Sequence, residues 1–337
     1  MSFILTKPYS RLWSLEAGRA MVVTDLHGDW DAYRRCRDRF VALQAKEQID
    51  CLIFTGDLIH AESETQPDRS LDMVADVLAL QSAYGAAVIY LCGNHEMPHI
   101  YGISLARGSR EYTAAFEAAL SRSGYRLKVT ALFDSLPFFV RTRAGVSLAH
   151  AGASPVMLDA RNTTRLFNWN HQELLGWAEQ ALAREDVAAL RRTLAEGNEA
   201  VSYEALARHY LSVSGPGDPR YDHLLRGFLA TSAPSFQLLW SALFTRCEEE
   251  FGSEQYAIFL DATLKELSVD FSRQEFLVSG HMNTQKGHHV VAQRQLRLSS
   301  ARHAQPRNAG EYLIFDAASP VRSVKTLLAN LRSVYED

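Results

Sequence analysis

Along the first hundred residues, short continuous apolar runs alternate with longer stretches of helical spacing. "AMVVTD" (20–25), "CLIFTGD" (51–57) and "AAVIYLCGN" (86–94) read as strands, with "DAYRRCRDRFVALQAK" (31–46) and "SLDMVADVLALQSAYG" (70–85) as the helices between them. Unbroken Val, Ile and Leu runs are typical of strands buried on both faces, so the pattern predicts a sheet with helices packed against it. The same signature returns in "GVSLAH" (145–150) and "EFLVSGH" (275–281). "HHVVA", "RQLRLSS" and "EYLIFDA" follow, spaced as an antiparallel meander would be. Between about 160 and 235 the spacing is helical with no strand signal, and "SVSGPGDPRYD" (212–222) is a Gly/Pro-rich loop or hinge. One domain over residues 1–337, carrying a helical insertion or cap at 160–235, is the expected organisation.

Five of the strands share one property: each ends in polar residues with ligand chemistry. They are Asp25 and His27, Asp57, Asn94 and His95, His150, and His281. In open α/β sheets the carboxyl ends of strands form the ligand crevice, so these endings point to a single site. A lone Asp-x-His after a strand is usually a turn or a helix N-cap, and a lone strand-end histidine is usually a satisfied rim residue. The repetition is what argues for a site. Carboxylates, an amide oxygen and several imidazoles suit borderline divalent cations such as Mn2+, Zn2+ or Fe, whereas an all-oxygen set would suit Mg2+ or Ca2+. Two cations about 3.5–4 Å apart need a shared ligand. A carboxylate can bridge where an imidazole cannot, and Asp57 is the natural bridge.

Composition narrows the partners. The chain is 47% hydrophobic, enough for a sizeable core, and carries 35 Lys and Arg against 39 Asp and Glu, a formal charge of -4. No global field draws it to nucleic acid or anionic lipid. The cysteines Cys36, Cys51, Cys92 and Cys247 form no Cys-x-x-Cys pair, which argues against a zinc-thiolate site. "MSFILTKPYSRLWSLEAGRA" has neither a basic leader nor a long apolar core, and no stretch reaches transmembrane length. A cytoplasmic protein is expected, with no membrane partner.

At "TDLHGDW", "FTGDLI", "LCGNHEM", "LAHAGAS" and "VSGHM" the sequence resembles the calcineurin-like metallophosphoesterases, most closely their phosphoprotein phosphatase branch. The resemblance covers most of the chain outside the helical insertion. It implies a β-sandwich flanked by helices with a two-metal site on one edge, Mn2+ being the expected metal and Fe or Zn2+ the alternatives. Asp25 and His27 would hold the first metal, Asp57 would bridge, and Asn94, His150 and His281 would complete the second. Water activated by both cations would attack phosphorus in line, with His95 protonating the leaving oxygen.

Two departures from the family pattern bear on substrate. Phosphodiesterases and nucleases of the superfamily often read Gly-His-x-His at the last motif, the second histidine returning to the first metal, but "GHMN" has Asn283 there. That favours the phosphatase branch, as does "LLWS" at 238–241; His288 and His289, starting the next strand, are poor substitutes. The phosphatases also continue Gly-Asp with a stretch ending in Asp-Arg, whose arginine clamps phosphate. Strict register puts His60 and Ala61 there, followed by Glu62, whereas an inserted loop would bring Asp68 and Arg69 into that role. Arg69 is preferred as the phosphate ligand, since an arginine fork matches phosphate better than anything at 60–62. Arg246, Arg161 and Arg165 are competitors without comparable support. The expected activity is a phosphomonoesterase acting on phosphorylated protein. A hydrolase of a small phosphate ester such as a dinucleoside polyphosphate is the alternative, and a non-catalytic metal-binding scaffold the alternative of another class.

Overall fold

Each apolar run that ends in a ligand-type residue forms a strand in the computed structural model, which describes residues 3–61, 68–107, 110–198 and 202–336. Two compact units emerge from the chain: Met1–Asn94, Ser135–Trp169 and Trp240–Asp337 make the first, and His95–Asp134 with Asn170–Leu239 the second.

In the first unit the principal strands are β1 (Ile4–Thr6), β2 (Leu12–Ala17), β3 (Arg19–Val23), β4 (Cys51–Phe54), β5 (Val88–Tyr90), β6 (Phe139–Thr142), β7 (Val146–Ala149), β8 (Phe276–Ser279), β9 (His288–Val291), β10 (Gln295–Leu298), β11 (Glu311–Asp316) and β12 (Leu331–Ser333). They form a five-stranded sheet of order β12-β11-β3-β4-β5 and a seven-stranded sheet of order β1-β2-β6-β7-β8-β10-β9. Side chains from both sheets share one core, including Val22, Ile53 and Ile89 from the first and Leu148, Val278 and Leu296 from the second. The result is a sandwich of mixed sheets with helices on its flanks, as the resemblance implied.

Parallel pairing places the site. β3, β4 and β5 are parallel neighbours in one sheet, and β7, β8 and β10 are parallel neighbours in the other. Strands that run the same way finish at the same edge, so the residues following each are delivered together. Helices α1 (Trp30–Gln44) and α2 (Ser70–Tyr84) make the long crossovers that parallel strands require. Asp29 starts α1 by accepting a hydrogen bond from the Ala32 amide at 3.2 Å, and the helix buries Ala32, Tyr33, Cys36 and Phe40 along one face. The buried face of α2 carries Met73, Val74, Val77 and Leu80, and the helix stops at Gly85, whose φ of +58° suits glycine.

The expected meander does not form. β9 and β10 pair antiparallel, but β11 crosses to the other sheet and pairs antiparallel with β3. Its buried "YLIF" run satisfies either sheet equally, so strand pattern alone could not choose between them.

The second unit is helical apart from a short two-stranded ribbon among its described residues. Helices His171–Leu182, Val187–Gly197, Tyr203–Leu211 and His223–Ser232 lie in the 160–235 segment, and 212–222 is a loop. Asn170, Asp186 and Ser202 cap three of these helices through their side-chain oxygens. Tyr203, Leu206, Leu211, Leu224 and Leu225 form its core. No helix among the described residues is long and apolar enough to cross a membrane.

Candidate metal centre

Six of the residues singled out in the sequence meet at the shared sandwich edge. Asp25 and His27 follow β3, Asp57 follows β4, Asn94 lies beyond β5, and His150 and His281 follow the parallel neighbours β7 and β8. Reaching that edge requires sharp turns. Asp25, His27, Asp57 and His281 all have positive φ, at 41°, 44°, 51° and 70°. Left-handed backbone costs non-glycine residues roughly 1–3 kcal/mol each and persists where surrounding structure enforces it, characteristically at functional sites.

Ligand-type atoms fall into two groups. Asp57, His150 and His281 present atoms all within 4.8 Å of one another, and so do Asp25, His27 and His303. Asp57 connects them, its Oδ2 lying 3.7 Å from His27 Nε2 and 3.4 Å from His150 Nε2. Around His150 the distances are shorter: Nε2 is 3.0 Å from Asn94 Oδ1 and 3.1 Å from His281 Nδ1, which is itself 3.1 Å from Asn94 Oδ1. His150 Nδ1 lies 2.9 Å from the Thr55 carbonyl, so it must donate, and the neutral ring turns its Nε2 lone pair inward. Burial holds both His150 and His281 below the usual histidine range, His150 pushing His281 lower still, so their lone pairs are available at neutral pH.

Those groups suit a cation. Two imidazole nitrogens, an amide oxygen and a carboxylate face one another with too few protons to satisfy them all. Asp25 is fully buried, with Oδ1 accepting the His281 amide at 2.8 Å and Oδ2 lacking a hydrogen-bond partner among the described residues. A buried carboxylate oxygen left so would be costly in a site meant to remain dry and uncharged. Burial tends to raise the Asp25 pKa, but hydrogen bonding and charge from His303, with His150 and His27, outweigh it and keep the carboxyl ionised far below the usual range. Backbone also makes room: a Cβ on Gly280 would stand 1.7 Å from Asp25 Oδ2.

The remaining sequence candidates are placed differently. His95 opens the second unit, directly after Asn94 in the chain, and is buried edge-on against the Tyr112 ring at 5.1 Å. Arg69 precedes α2, pairs with Asp72 and lies over the Trp30 ring at 4.8 Å, its side chain 44% exposed. His60 is buried and its amide donates to Ser70 Oγ at 2.8 Å; Ser70 donates in turn to Asp68. Ala61 and Asp68 both adjoin Gly28, so the two alternative registers converge beside His27. Glu62 lies outside the described residues. His288 pairs with Glu311 at 2.6 Å, Arg161 pairs with Asp159, and Arg246 pairs with Glu249.

Sequence reasoning missed His303. It stands on the loop after β10, its Nδ1 3.4 Å from Asp25 Oδ1 and its ring 4.7 Å from that of His27. No motif marks it, and the available signal was topological: β10 is another parallel strand ending at the same edge.

No curated protein matches the chain by sequence. Among solved structures it is similar to a protein serine/threonine phosphatase from Saccharomyces cerevisiae, at 14% identity and a TM-score of 0.47, over 94% of this chain and 78% of that one. A cold-active protein-tyrosine phosphatase of a psychrophilic Shewanella species gives 14%, 0.46, and 91% and 78%. A putative diadenosine tetraphosphatase gives 24%, 0.28, and 44% and 57%. The family model of the calcineurin-like phosphoesterases matches residues 18–231, well over half of the chain. The chain therefore belongs to the calcineurin-like phosphoesterases, hydrolases of phosphate esters that use divalent metals.

Proposed function

We propose that this protein is a metal-dependent phosphomonoesterase acting on phosphorylated protein side chains, with two divalent cations, Mn2+ by expectation. The observation that carries the reading is the inward-facing set of His150 Nε2, His281 Nδ1, Asn94 Oδ1 and Asp57 Oδ2, next to the buried Asp25 oxygen. Asp25 and His27 would hold one cation, Asn94, His150 and His281 the other, and Asp57 would bridge. When bound, the cations supply Lewis acidity and an activated water. What the chain itself contributes is orientation: the Thr55 carbonyl fixes the His150 tautomer, and the His281 amide holds the Asp25 carboxylate through Oδ1.

His95 is the proposed general acid, delivering a proton to the leaving oxygen. Its support is the "GNHE" motif and its place immediately after Asn94. A scaffold without catalysis would have no need for this whole set of converging polar groups. Asn283 no longer separates the branches, because His303 adjoins Asp25 and His27 from another loop. Substrate class therefore rests on the ordered motifs, and a direct comparison decides it. Purified protein should contain about two metals per chain and hydrolyse phosphopeptides faster than a dinucleoside polyphosphate at matched metal concentration. The opposite ranking would assign it to small phosphate compounds. His95→Asn should lower kcat by about 10²–10⁴-fold with metal retained; an unchanged rate removes His95 from the mechanism.

A further inference from the structure

We infer that His303 is a protein ligand of the cation held by Asp25 and His27, supplied from the loop after β10 instead of from position 283. The inference rests on the metal reading of this edge and adds a residue that no motif of the chain marks.

Geometry is the first argument. Asp25, His27 and His303 each offer one ligand atom within 4.8 Å of the others, and all three are buried. With Asp57 as bridge, each cation would then have two imidazoles: His27 and His303 on one side, His150 and His281 on the other. A third carboxylate or a lysine at 303 would have made an ion pair or a charge imbalance; an imidazole matches the borderline donor set already present.

Its placement is also held from several directions. Thr24, the residue before Asp25, donates its amide to Ser300 Oγ at 3.0 Å and its hydroxyl to the Leu298 carbonyl at 2.8 Å. Ser300 in turn donates to the Glu311 carbonyl at 2.7 Å. Beyond His303, Arg307 donates to both carboxylate oxygens of Asp29, at 2.6 Å through Nη2 and at 2.5 Å through Nε, and Arg302 Nε lies 3.5 Å from the same carboxylate. Asp29 belongs to the "DLHGD" turn that carries Asp25 and His27 and is itself buried. One short segment thus sets two ligands and clamps, through Asp29, the loop that brings the third. Asp29 acts here as a positioning residue.

The test measures metal, with activity as a secondary readout. Full-length protein stripped with a chelator is titrated with Mn2+, and bound metal is counted by elemental analysis and calorimetry. Wild type should take up two ions; His303→Gln should keep one with little change and bind the other at least about tenfold more weakly, the order of loss seen when a metal site's supporting groups are removed. Asp29→Asn should weaken the same ion by a smaller factor. A folded His303→Gln that binds both ions as wild type does overturns the inference while leaving the phosphatase reading intact. A wild type that binds no metal overturns both. As a check independent of the fold's tolerance for glutamine, His303→Cys loaded with Co2+ should show a new thiolate-to-cobalt charge-transfer band absent from wild type. Its absence in cobalt-loaded protein means that residue 303 does not touch the metal.

Discussion

Gly280 offers a direct probe of the Asp25 pocket. In Gly280→Ala the added methyl would start 1.7 Å from Asp25 Oδ2, 2.8 Å from its Cγ and 3.0 Å from Thr24 Cβ. Side-chain carbons do not approach heavy atoms closer than 3.0 Å, so about 1.3 Å must be recovered by movement. Asp25 has little freedom to yield: it is fully buried, its backbone is left-handed, and its other oxygen is held by the His281 amide. Overpacking of this kind costs about 1–3 kcal/mol, equivalent to a fall in Tm of roughly 2–4 °C for each kcal/mol. The larger effect should be on metal. A shift of the Asp25 carboxylate by more than an ångström would take it out of reach of a cation shared with His27, so we expect the first metal to be lost at concentrations that saturate wild type, and hydrolysis of p-nitrophenyl phosphate to fall with it. Gly176→Ala is the control, since a Cβ there meets nothing within 4 Å and alanine favours its helix. If Gly280→Ala is folded and binds both metals with wild-type affinity, the Asp25 carboxylate is not a ligand of the first metal.

Three further outcomes are expected. Arg69→Ala should lower kcat/KM for an aryl phosphate by about 10- to 100-fold if its guanidinium leaves Asp72 to bind phosphate, the worth of a charged hydrogen bond, while changing stability by under about 1 kcal/mol; unchanged turnover with a sharp loss in His60→Ala would give the role to the strict register. Chelator treatment should abolish hydrolysis, with Mn2+ restoring it, and activity that survives full metal removal would refute the metal reading. His223, in the second unit, is pushed down to about 4, chiefly by burial and then by the charges of Arg226 and Arg220. The unfolded chain therefore binds a proton that the folded chain does not as pH drops from about 6.5 towards 4, and stability should fall in that window by at most about 1.4 kcal/mol per pH unit. Thermal melts of His223→Gln should show a flatter dependence between those pH values, and an identical slope would refute the assignment.

Much of the site is legible in the sequence because of where its residues stand. Asp25, Asp57, Asn94, His150 and His281 each stand within three residues of the end of an unbroken apolar run, so the end of hydrophobic patterning marks them. His303 lies five residues beyond β10, after "SSAR", and nothing local distinguishes it from the other histidines of the chain. The grouping of 95–134 with 170–239 was equally silent, since helical periodicity tells which face is buried and not what covers it.

By itself the sequence determined the strands that lead to the site, the buried faces of the first two helices, and which polar residues stand at those strand ends, all of them consequences of local periodicity and backbone preference; β1, β2, β6 and β12 carried no comparable signal. Tertiary structure alone decided that β11 pairs with β3, that β7, β8 and β10 run parallel, and hence that His303 arrives beside Asp25 and His27. The physical reason is that side-chain alternation specifies a strand's buried surface, while its partner is chosen by packing and hydrogen bonding between segments hundreds of residues apart. Thr24 with Ser300, and Asp29 with Arg307, are such pairings here.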